Sequence, residues 1–473
     1  MKRLVLLATV LAFVLGMASM ASAATIKASG EWALEFLFSD NFDFDGNAAD
    51  GSANGDGDFN VYQRARTQFD FIANENLKGV LATEIGSPAR WGDGNANGAT
   101  DGFRFHDHGT AIRVRRAYLD FMVPDTTIAV RGGLQGVALP ASFGGGNMIL
   151  DDEMPALVVS TPIIDEVSVL AGYGRLYDSD TTIGQTTHTN GSFDTGFLAV
   201  PVKLDGFAFS PYFAYAYVGH DALIGGADAP IAENVLVGLA TPQPDLTAGR
   251  NAYFAGTNFE MTYFDPIKVM ADFAYGNVSG GGETNDRSGW MFDLAVDYTG
   301  FDFMTPEVFF VYTSGEDDDP TNGSERMPAI GSRNYGPGSF WFANDTLLAG
   351  SWGYNNDMTG YWALGLSLKD ISFMEKLSHT VNVMYVKGTN DEDVLNAGYN
   401  TSGLGMYTYG ETLTEEDHII EFDLNNKYKL YDELTLTLDL GYIVNGYDKD
   451  TWSAVDPNRE NAFKLSTGLL YQF

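Results

Sequence analysis

The chain has 473 residues, 54 glycines, no cysteine, 63 acidic against 27 basic residues, and a formal net charge of −36. Phosphate recognition needs a basic face, so this charge excludes a nucleic-acid-binding protein, and the lack of cysteine excludes a disulfide framework, a thiolate metal site and a cysteine nucleophile. An aromatic content of 13% is too high for a disordered chain, because that much apolar surface must be buried.

Residues 1–23 have the pattern of a secretory signal peptide. Met1 to Arg3 form a short basic segment, residues 4–20 are apolar, and Ala21-Ser22-Ala23 is a small-residue cleavage site. We predict cleavage after Ala23 and export of residues 24–473 as a single domain. No later stretch approaches the roughly 18 consecutive apolar residues of a membrane-spanning helix, so we expect another architecture for the body of the protein.

From residue 24 onward, apolar and polar residues alternate with a period of two, which is the pattern of β-strands. In the first such segment one face carries Ile26, Ala28, Gly30, Trp32, Leu34 and Phe36, and the other carries Lys27, Ser29, Glu31 and Glu35. The segments are long, and a tilted barrel strand needs about 9 to 11 residues to cross the hydrocarbon layer. The apolar face would then contact lipid, and the polar face would line a lumen.

Short turns and long polar loops alternate along the chain, as they do in outer-membrane barrels. The short turns are Asn74-Glu75-Asn76, Pro124-Asp125, Asp265-Pro266 and Tyr431-Asp432. The alternation predicts ascending strands at 25–38, 77–86, 127–135, 167–176, 207–218, 267–277, 302–313, 378–388 and 433–445. It predicts descending strands at 60–73, 110–123, 156–161, 192–203, 251–264, 289–299, 358–369, 418–430 and 462–473.

These segments predict an all-β protein, a transmembrane antiparallel β-barrel of about 18 strands with short periplasmic turns and long extracellular loops. An even count is what closure requires when both ends of the chain lie on one side of the membrane. The segments 156–161 and 192–203 are the least regular, so a barrel of about 16 strands is the alternative.

Arginines are concentrated in the second, fourth and fifth predicted strands. They are Arg64 and Arg66, then Arg113, Arg115 and Arg116, then Arg131. Arginine on the lipid side of a strand costs about 2 to 4 kcal/mol at the membrane midplane, so we expect these side chains to face the lumen. Arg113 has the opposite parity to Arg116, which requires a β-bulge or an interfacial location in that run.

The second predicted outer loop matches part of a calcium-binding loop. Asp93, Asn95 and Asn97 stand at its first ligand positions, but Arg104 replaces the bidentate glutamate, so an EF-hand is rejected. Loose binding of a divalent cation by these three residues is the weaker alternative. His106 and His108 nearby lack an evident third ligand. We predict no metal site and no cofactor.

The last predicted strand alternates up to a terminal phenylalanine. Leu465, Thr467, Leu469, Tyr471 and Phe473 share one face. This ending resembles the C-terminal insertion signal of Gram-negative outer-membrane barrels, with Leu469, Tyr471 and Phe473 as its defining positions. With the Met1-Lys2-Arg3 signal and the start at 24–30, the chain resembles the outer-membrane homotrimeric porins of deltaproteobacteria, within the general bacterial porin superfamily.

The resemblance implies a homotrimer of water-filled channels in the bacterial outer membrane. It also implies contact with lipid and lipopolysaccharide, and insertion by the barrel-assembly machinery through the C-terminus. In such porins the third outer loop folds into the barrel, and the strand boundaries place that loop at Gly136 to Pro155, where it carries Asp151, Asp152 and Glu153.

We expect a pore constriction where this acidic run faces the arginines across the lumen. Its members are Arg64, Arg66, Arg116, Arg131, Asp151, Asp152 and Glu153. Opposed charges across a narrow pore create a transverse field that favours dipolar solutes over apolar ones. The alternative is that the arginines only hold the loop in place through ion pairs.

The sequence therefore predicts an outer-membrane porin for passive diffusion of small hydrophilic solutes and ions. A substrate-selective porin is the alternative, although most aromatic residues fall on the apolar strand faces, with Tyr62 and Tyr118 on the lumen side as exceptions. An outer-membrane barrel enzyme is a weaker alternative, because the chain has no G-x-S-x-G, H-E-x-x-H or P-loop motif, and we predict that the protein is not an enzyme. A surface adhesin is a further alternative, which the lack of conductance would identify.

Overall fold

The computed structural model describes most of the predicted barrel. The described residues are 24–41, 44, 58–92, 103, 112–178, 191–219, 249–283, 286–319, 321–332, 335–340, 347–348, 359–393, 409–410, 412–452 and 460–473. The predicted signal peptide and the loop positions Asp93, Asn95, Asn97, His106 and His108 lie outside these residues. Within them, no helix is both long enough and apolar enough to cross a membrane.

The described residues form twenty strand segments that belong to one sheet. The first ten are β1 Thr25–Asp40, β2 Asp58–Asn74, β3 Leu77–Arg90, β4 Ile112–Met122, β5 Ala129–Ala138, β6 Leu150–Ile164, β7 Val167–Asp178, β8 Ser192–Ala199, β9 Val202–Leu204 and β10 Phe207–Val218. The others are β11 Arg250–Phe264, β12 Ile267–Ser279, β13 Arg287–Tyr298, β14 Thr305–Thr313, β15 Gly331–Ser332, β16 Tyr361–Met374, β17 Leu377–Gly388, β18 His418–Lys429, β19 Leu434–Gly446 and β20 Ala462–Gln472.

The sheet closes into an 18-stranded antiparallel barrel. Strands β8 and β9 are two parts of one wall strand, because both pair with β7 and with β10. Pro201 lies between them and has no N–H to donate to the ladder. Strand β15 belongs to a loop and pairs in parallel with β6. Since β1 pairs with β20, the prediction of about 18 strands is confirmed and the alternative of 16 is wrong.

The period-two alternation separates an apolar outer surface from a polar inner surface. In β20, Lys464 and Ser466 are buried inside the barrel, while Phe463 and Leu465 on the other face are partly exposed. Large apolar side chains such as Trp32 remain highly exposed on the outside of the wall. This distribution is what a barrel surrounded by lipid requires, because each strand is solvated by hydrocarbon on one side.

Aromatic rings stack near both ends of the wall. At the end with long loops, Trp290 on β13 stacks on Tyr312 on β14, with 4.5 Å between the ring centroids. At the end with short turns, Tyr471 lies 5.6 Å from the terminal Phe473. Aromatic girdles of this kind are typical of the two membrane–water interfaces of barrel proteins.

Candidate functional site

The third loop at the long-loop end is shorter than the sequence predicts. Strand β5 extends to Ala138 and β6 starts at Leu150, so the loop comprises residues 139–149 rather than Gly136 to Pro155. Asp151, Asp152 and Glu153 are strand residues, in register with Ala138, Val137 and Gly136. The prediction that this acidic run lies in the loop is wrong, because the pairing of β5 with β6 continues up to Ala138 and Asp151.

Loop 139–149 nevertheless folds into the barrel, as predicted. The backbone N–H groups of Ser142 and Phe143 donate to the carboxylate of Asp272 on β12, at 2.9 and 2.8 Å. The Phe143 ring centroid lies 5.3 Å from that of Phe309 on β14. Both partners are on the wall opposite β5 and β6, at mid-height of their strands. The loop therefore crosses the lumen and narrows it.

A second inward loop, between β14 and β16, was not predicted. The Tyr335 hydroxyl lies 3.2 Å from Asp293 on β13, and the Phe340 N–H donates to Glu421 on β18 at 2.9 Å. Further along, the Leu348 N–H donates to Glu35 on β1 at 2.9 Å. The described residues of this loop therefore contact the inner surface of the wall at β13, β18 and β1.

The two inward loops are hydrogen-bonded to each other. The N–H groups of Ile330 and Gly331 both donate to the carbonyl oxygen of Ile149, at 2.8 and 3.0 Å. The short strand β15 then pairs with Leu150 and Asp151 of β6. The constriction is therefore made by two joined loops rather than by one.

The described parts of the two loops cover inward residues of β18, β19 and β20 and leave arginines of β2, β4 and β5 accessible to water. Asp423, Asp439 and Lys464, which face inward on β18, β19 and β20, are each only 3% exposed. By contrast, the side chains of Arg66, Arg116 and Arg131 on β2, β4 and β5 are 31%, 39% and 42% exposed. The aqueous route therefore runs along the wall that carries the predicted arginines.

On β2, the arginines pair with carboxylates of the two neighbouring strands. The Arg64 guanidinium lies 2.9 Å from Glu31 on β1. Arg66 lies 2.6 Å from Glu84 on β3 and 3.5 Å from Glu31. Because both arginines face the lumen, the sequence-based orientation of this pair is confirmed.

On β4, Arg115 and Arg116 share one carboxylate. Glu153 lies 2.5 Å from Arg115 and 3.2 Å from Arg116. The register of β3 and β4 shifts between Ala82 and Thr83, which leaves Arg115 as the extra residue of a β-bulge. The bulge expected from the parity of this run is confirmed, and it turns two successive arginines toward the same partner.

Closer to the short-turn end, Arg131 forms a separate group. Its guanidinium lies 2.8 Å from Asp120 and 4.9 Å from the centre of the Tyr118 ring. Lys78 lies 3.9 Å from the same carboxylate. The positions of Tyr118 and Asp120 on the lumen side agree with their parity in the sequence.

The residues that were predicted to form the constriction therefore do not all lie together. Of the acidic run, Glu153 contacts the arginines, Asp152 accepts the backbone N–H of Glu153 at 2.7 Å, and Asp151 lies in register with Ser332. Glu31 and Glu84, which bind the β2 arginines, were missed. The parity of Glu31 in the first strand was the signal that could have identified it.

The C-terminal strand meets the start of β1 at the seam of the barrel. The N–H of Phe473 donates to the carbonyl oxygen of Gly30 at 3.1 Å, and the N–H of Gly30 donates in return at 3.0 Å. Leu469 lies in register with Leu34, and Tyr471 with Trp32. The role of Leu469, Tyr471 and Phe473 as an insertion signal stays a prediction.

No family model and no curated protein matches the chain. Among solved structures, the outer membrane protein OprD from Pseudomonas aeruginosa is 12% identical and aligns over 96% of both chains, with a TM-score of 0.51. OccAB1 of Acinetobacter baumannii is 12% identical over 96% of this chain and 99% of its own, and OccK8 (OprE) of Pseudomonas aeruginosa is 10% identical over 95% and 98%, each with a TM-score of 0.50. At these identities the likeness shows the fold, a closed 18-stranded outer-membrane barrel.

Proposed function

We propose that this chain forms a water-filled diffusion channel across the bacterial outer membrane, and that solutes pass along the arginine-bearing wall. The observation that carries the proposal is the division of the lumen: the described parts of two inward loops contact the wall at β12, β13, β14, β18 and β1, and the arginines of β2, β4 and β5 stay accessible. The shared fold with outer-membrane barrels supports the location.

We further propose that the channel is substrate-selective, which was the alternative in the sequence-based prediction. Two joined loops enter the lumen, where one loop was expected for the weakly selective porin. Four guanidinium groups of Arg64, Arg66, Arg115 and Arg116 stand against three carboxylates of Glu31, Glu84 and Glu153 along the route. Fixed charges in a narrow aqueous path select solutes by charge and dipole.

Replacing Arg64 and Arg66 with alanine tests this proposal. The change leaves two guanidinium groups against three carboxylates, so we expect the reversal potential in a planar bilayer under a salt gradient to shift toward cation preference. Glu84 is nearly buried and loses a partner in this variant, so Arg131→Gln is a second variant that leaves Asp120 with Lys78.

The matched control is Arg175→Ala. Arg175 on β7 faces outward, is 49% exposed, and pairs with Asp194 at 2.8 Å, so it has the same chemistry outside the lumen. We expect its removal to leave ion preference unchanged. Identical reversal potentials for the wild type, the Arg64 and Arg66 variant and Arg131→Gln would contradict an arginine-lined route. A correctly folded barrel without any conductance would favour the adhesin.

We also propose the partners that the sequence resemblance implies. These are two further copies of the chain in a homotrimer, the surrounding lipid and lipopolysaccharide, the barrel-assembly machinery that reads the C-terminal strand, and small hydrophilic solutes. The aromatic girdles and the apolar outer surface are compatible with lipid on all sides or with contact between copies. The assembly state is therefore a matter for measurement in detergent or membranes.

A further inference from the structure

Strands β5 and β6 leave the barrel wall together in the half that is nearer to the long loops. The pairing of β4 with β5 stops at Ala117 and Leu134, and the pairing of β6 with β7 stops at Ala156 and Gly174. Strands β5 and β6 stay paired with each other for four further residue pairs. We call this segment, residues 135–138 and 151–154, the inward arm. It carries loop 139–149 across the lumen.

Residues at the base of the inward arm favour this departure from the wall. Gly133 has a φ of 130°, a backbone conformation that side-chain-bearing residues rarely adopt. Pro155, where β6 leaves β7, has no N–H to donate to a neighbouring strand. The Gln135 amide donates to the carbonyl oxygen of Ala156 at 2.8 Å, which gives a buried backbone group a partner beside the bend. The bend is therefore built into the chain.

Ion pairs occupy the place where backbone pairing with β4 is missing. Arg115 makes a bidentate contact with Glu153 on the inward arm. Its Nε donates to the carboxylate at 3.0 Å, and its Nη2 lies 2.5 Å from the other carboxylate oxygen. Arg116 donates to the same carboxylate at 3.2 Å. A Cβ atom on Gly136 would lie 3.3 Å from Nη2 of Arg116, so glycine at this position leaves room for the guanidinium.

We propose that Glu153 is a positioning residue that holds the inward arm in the lumen through Arg115 and Arg116 and thereby sets the width of the aqueous route. The inference rests on the proposed channel function and adds a residue that controls the width of the channel. Without the carboxylate, the arm loses its contacts with Arg115 and Arg116 and gains a second position farther from β4, because the backbone of β4 above Ala117 is not paired with β5. The aqueous route between the arm and the arginine-bearing wall is wider when the arm is in that position.

Apolar packing keeps the inward arm folded when the ion pairs are lost. Met154 and Leu139 are buried in the same cluster as Ile149 and Leu150. The loop tip is held separately by Asp272. Removing the charge of Glu153 therefore changes the balance between two arm positions and leaves the barrel intact.

Single-channel recording of Glu153→Gln tests the proposal. We expect a higher conductance level in addition to the main level, with the ratio of time spent in the higher level to time spent in the main level raised at least about fivefold, the effect of losing one of the two partly exposed ion pairs of Glu153. The exchanged pair Arg115→Glu with Glu153→Arg has the same total charge as the wild type. We expect it to restore the single main level, which a purely electrostatic effect on ion flow would not explain.

Asp120→Asn is the matched control. Asp120 is 23% exposed against 20% for Glu153 and pairs with Arg131 at 2.8 Å, but it lies where β4 and β5 are fully paired. We expect a changed ion preference and no second level. Wild-type dwell times in Glu153→Gln, or the same second level in Asp120→Asn, would overturn the role of Glu153. A wild-type barrel without conductance would instead contradict the channel function. If Glu153→Gln fails to form a heat-modifiable barrel, the conductance levels of the exchanged pair test the role of Glu153.

Discussion

At the scale of single residues, buried lumen carboxylates act as fixed acceptors for loop backbone. Asp272 is nearly fully buried and accepts the N–H groups of Ser142 and Phe143. Glu421 does the same for Phe340 in the second inward loop. A carboxylate has acceptor sites for several N–H groups, which explains why acidic residues recur on the covered wall.

Replacing Asp272 with alanine would remove the acceptor of the buried Phe143 N–H, at a cost of about 1 to 3 kcal/mol, and that of the half-buried Ser142 N–H, at a smaller cost. We expect faster amide hydrogen exchange across residues 139–149 and little change in the wall strands. Asp272→Asn keeps one oxygen acceptor and should show an intermediate exchange rate. Equal exchange in all three proteins would mean that packing alone fixes the loop.

Lys464 has the complementary role on β20. Its ammonium group donates to the carbonyl oxygen of Ser339 at 2.5 Å and lies 5.2 Å from the centre of the Phe340 ring. A buried cation is tolerated here because a carbonyl, an aromatic face and nearby carboxylates surround it. The second inward loop is thus anchored by groups of both signs.

At the scale of elements, the strands that alternate without interruption were predicted well. Strand β18 was predicted at 418–430 and spans His418–Lys429. Strand β6 was predicted at 156–161 and spans Leu150–Ile164, because its first part pairs with β5 and β15 inside the lumen and not with β7. The segment 192–203 was irregular because Pro201 interrupts it.

The ion-pair partners and the second inward loop could not be predicted from the sequence, and the reason is physical. Alternation shows which face a residue occupies, but the partner of Arg66 depends on the cross-strand register, which places it opposite Glu31 on β1 and Glu84 on β3. The contacts of Phe340 with Glu421 join residues that are far apart in sequence. No local pattern carries that information.

The outer part of the second inward loop should respond to pH. Burial, with the nearby Glu316 and Asp317 carboxylates, raises the pKa of Glu325 to about 7 from 4.5. The folded loop therefore binds a proton more tightly than the unfolded loop, so its stability increases as the pH falls from about 7 towards 4.5 and is lost as the pH rises through 7.

Limited proteolysis at pH 5 and pH 8 measures this effect, because Glu325 of the folded loop is largely protonated at the first value and largely ionised at the second. We expect slower cleavage of residues 316–332 at the acidic end, relative to cleavage of a reference protein under the same conditions. Glu325→Gln should remove most of the difference and behave at pH 8 as the wild type does at pH 5. A pH response that persists in Glu325→Gln would assign it to other carboxylates.

At the scale of the whole molecule, the homotrimer can be tested by gel migration. If three barrels associate through their apolar outer surfaces, unheated samples in mild detergent should give a stable band of about three chain masses, and boiling should convert it to the monomer. Light scattering of the purified protein gives the mass independently. A monomer mass by both methods would contradict the homotrimer, but it would not contradict a channel formed by a single barrel.

The hydrogen bonds between Ile149 and residues 330–331 have a mechanical consequence for the barrel as a body. An open ring of strands can flatten into an ellipse, because shear between neighbouring strands meets little resistance. Here described contacts join β5 and β6 to β12 across the interior, and join the second inward loop to β18 and β1. Lateral pressure from the bilayer therefore acts on a cylinder with internal braces, and we expect its cross-section to change less with the surrounding lipid than that of a barrel without them.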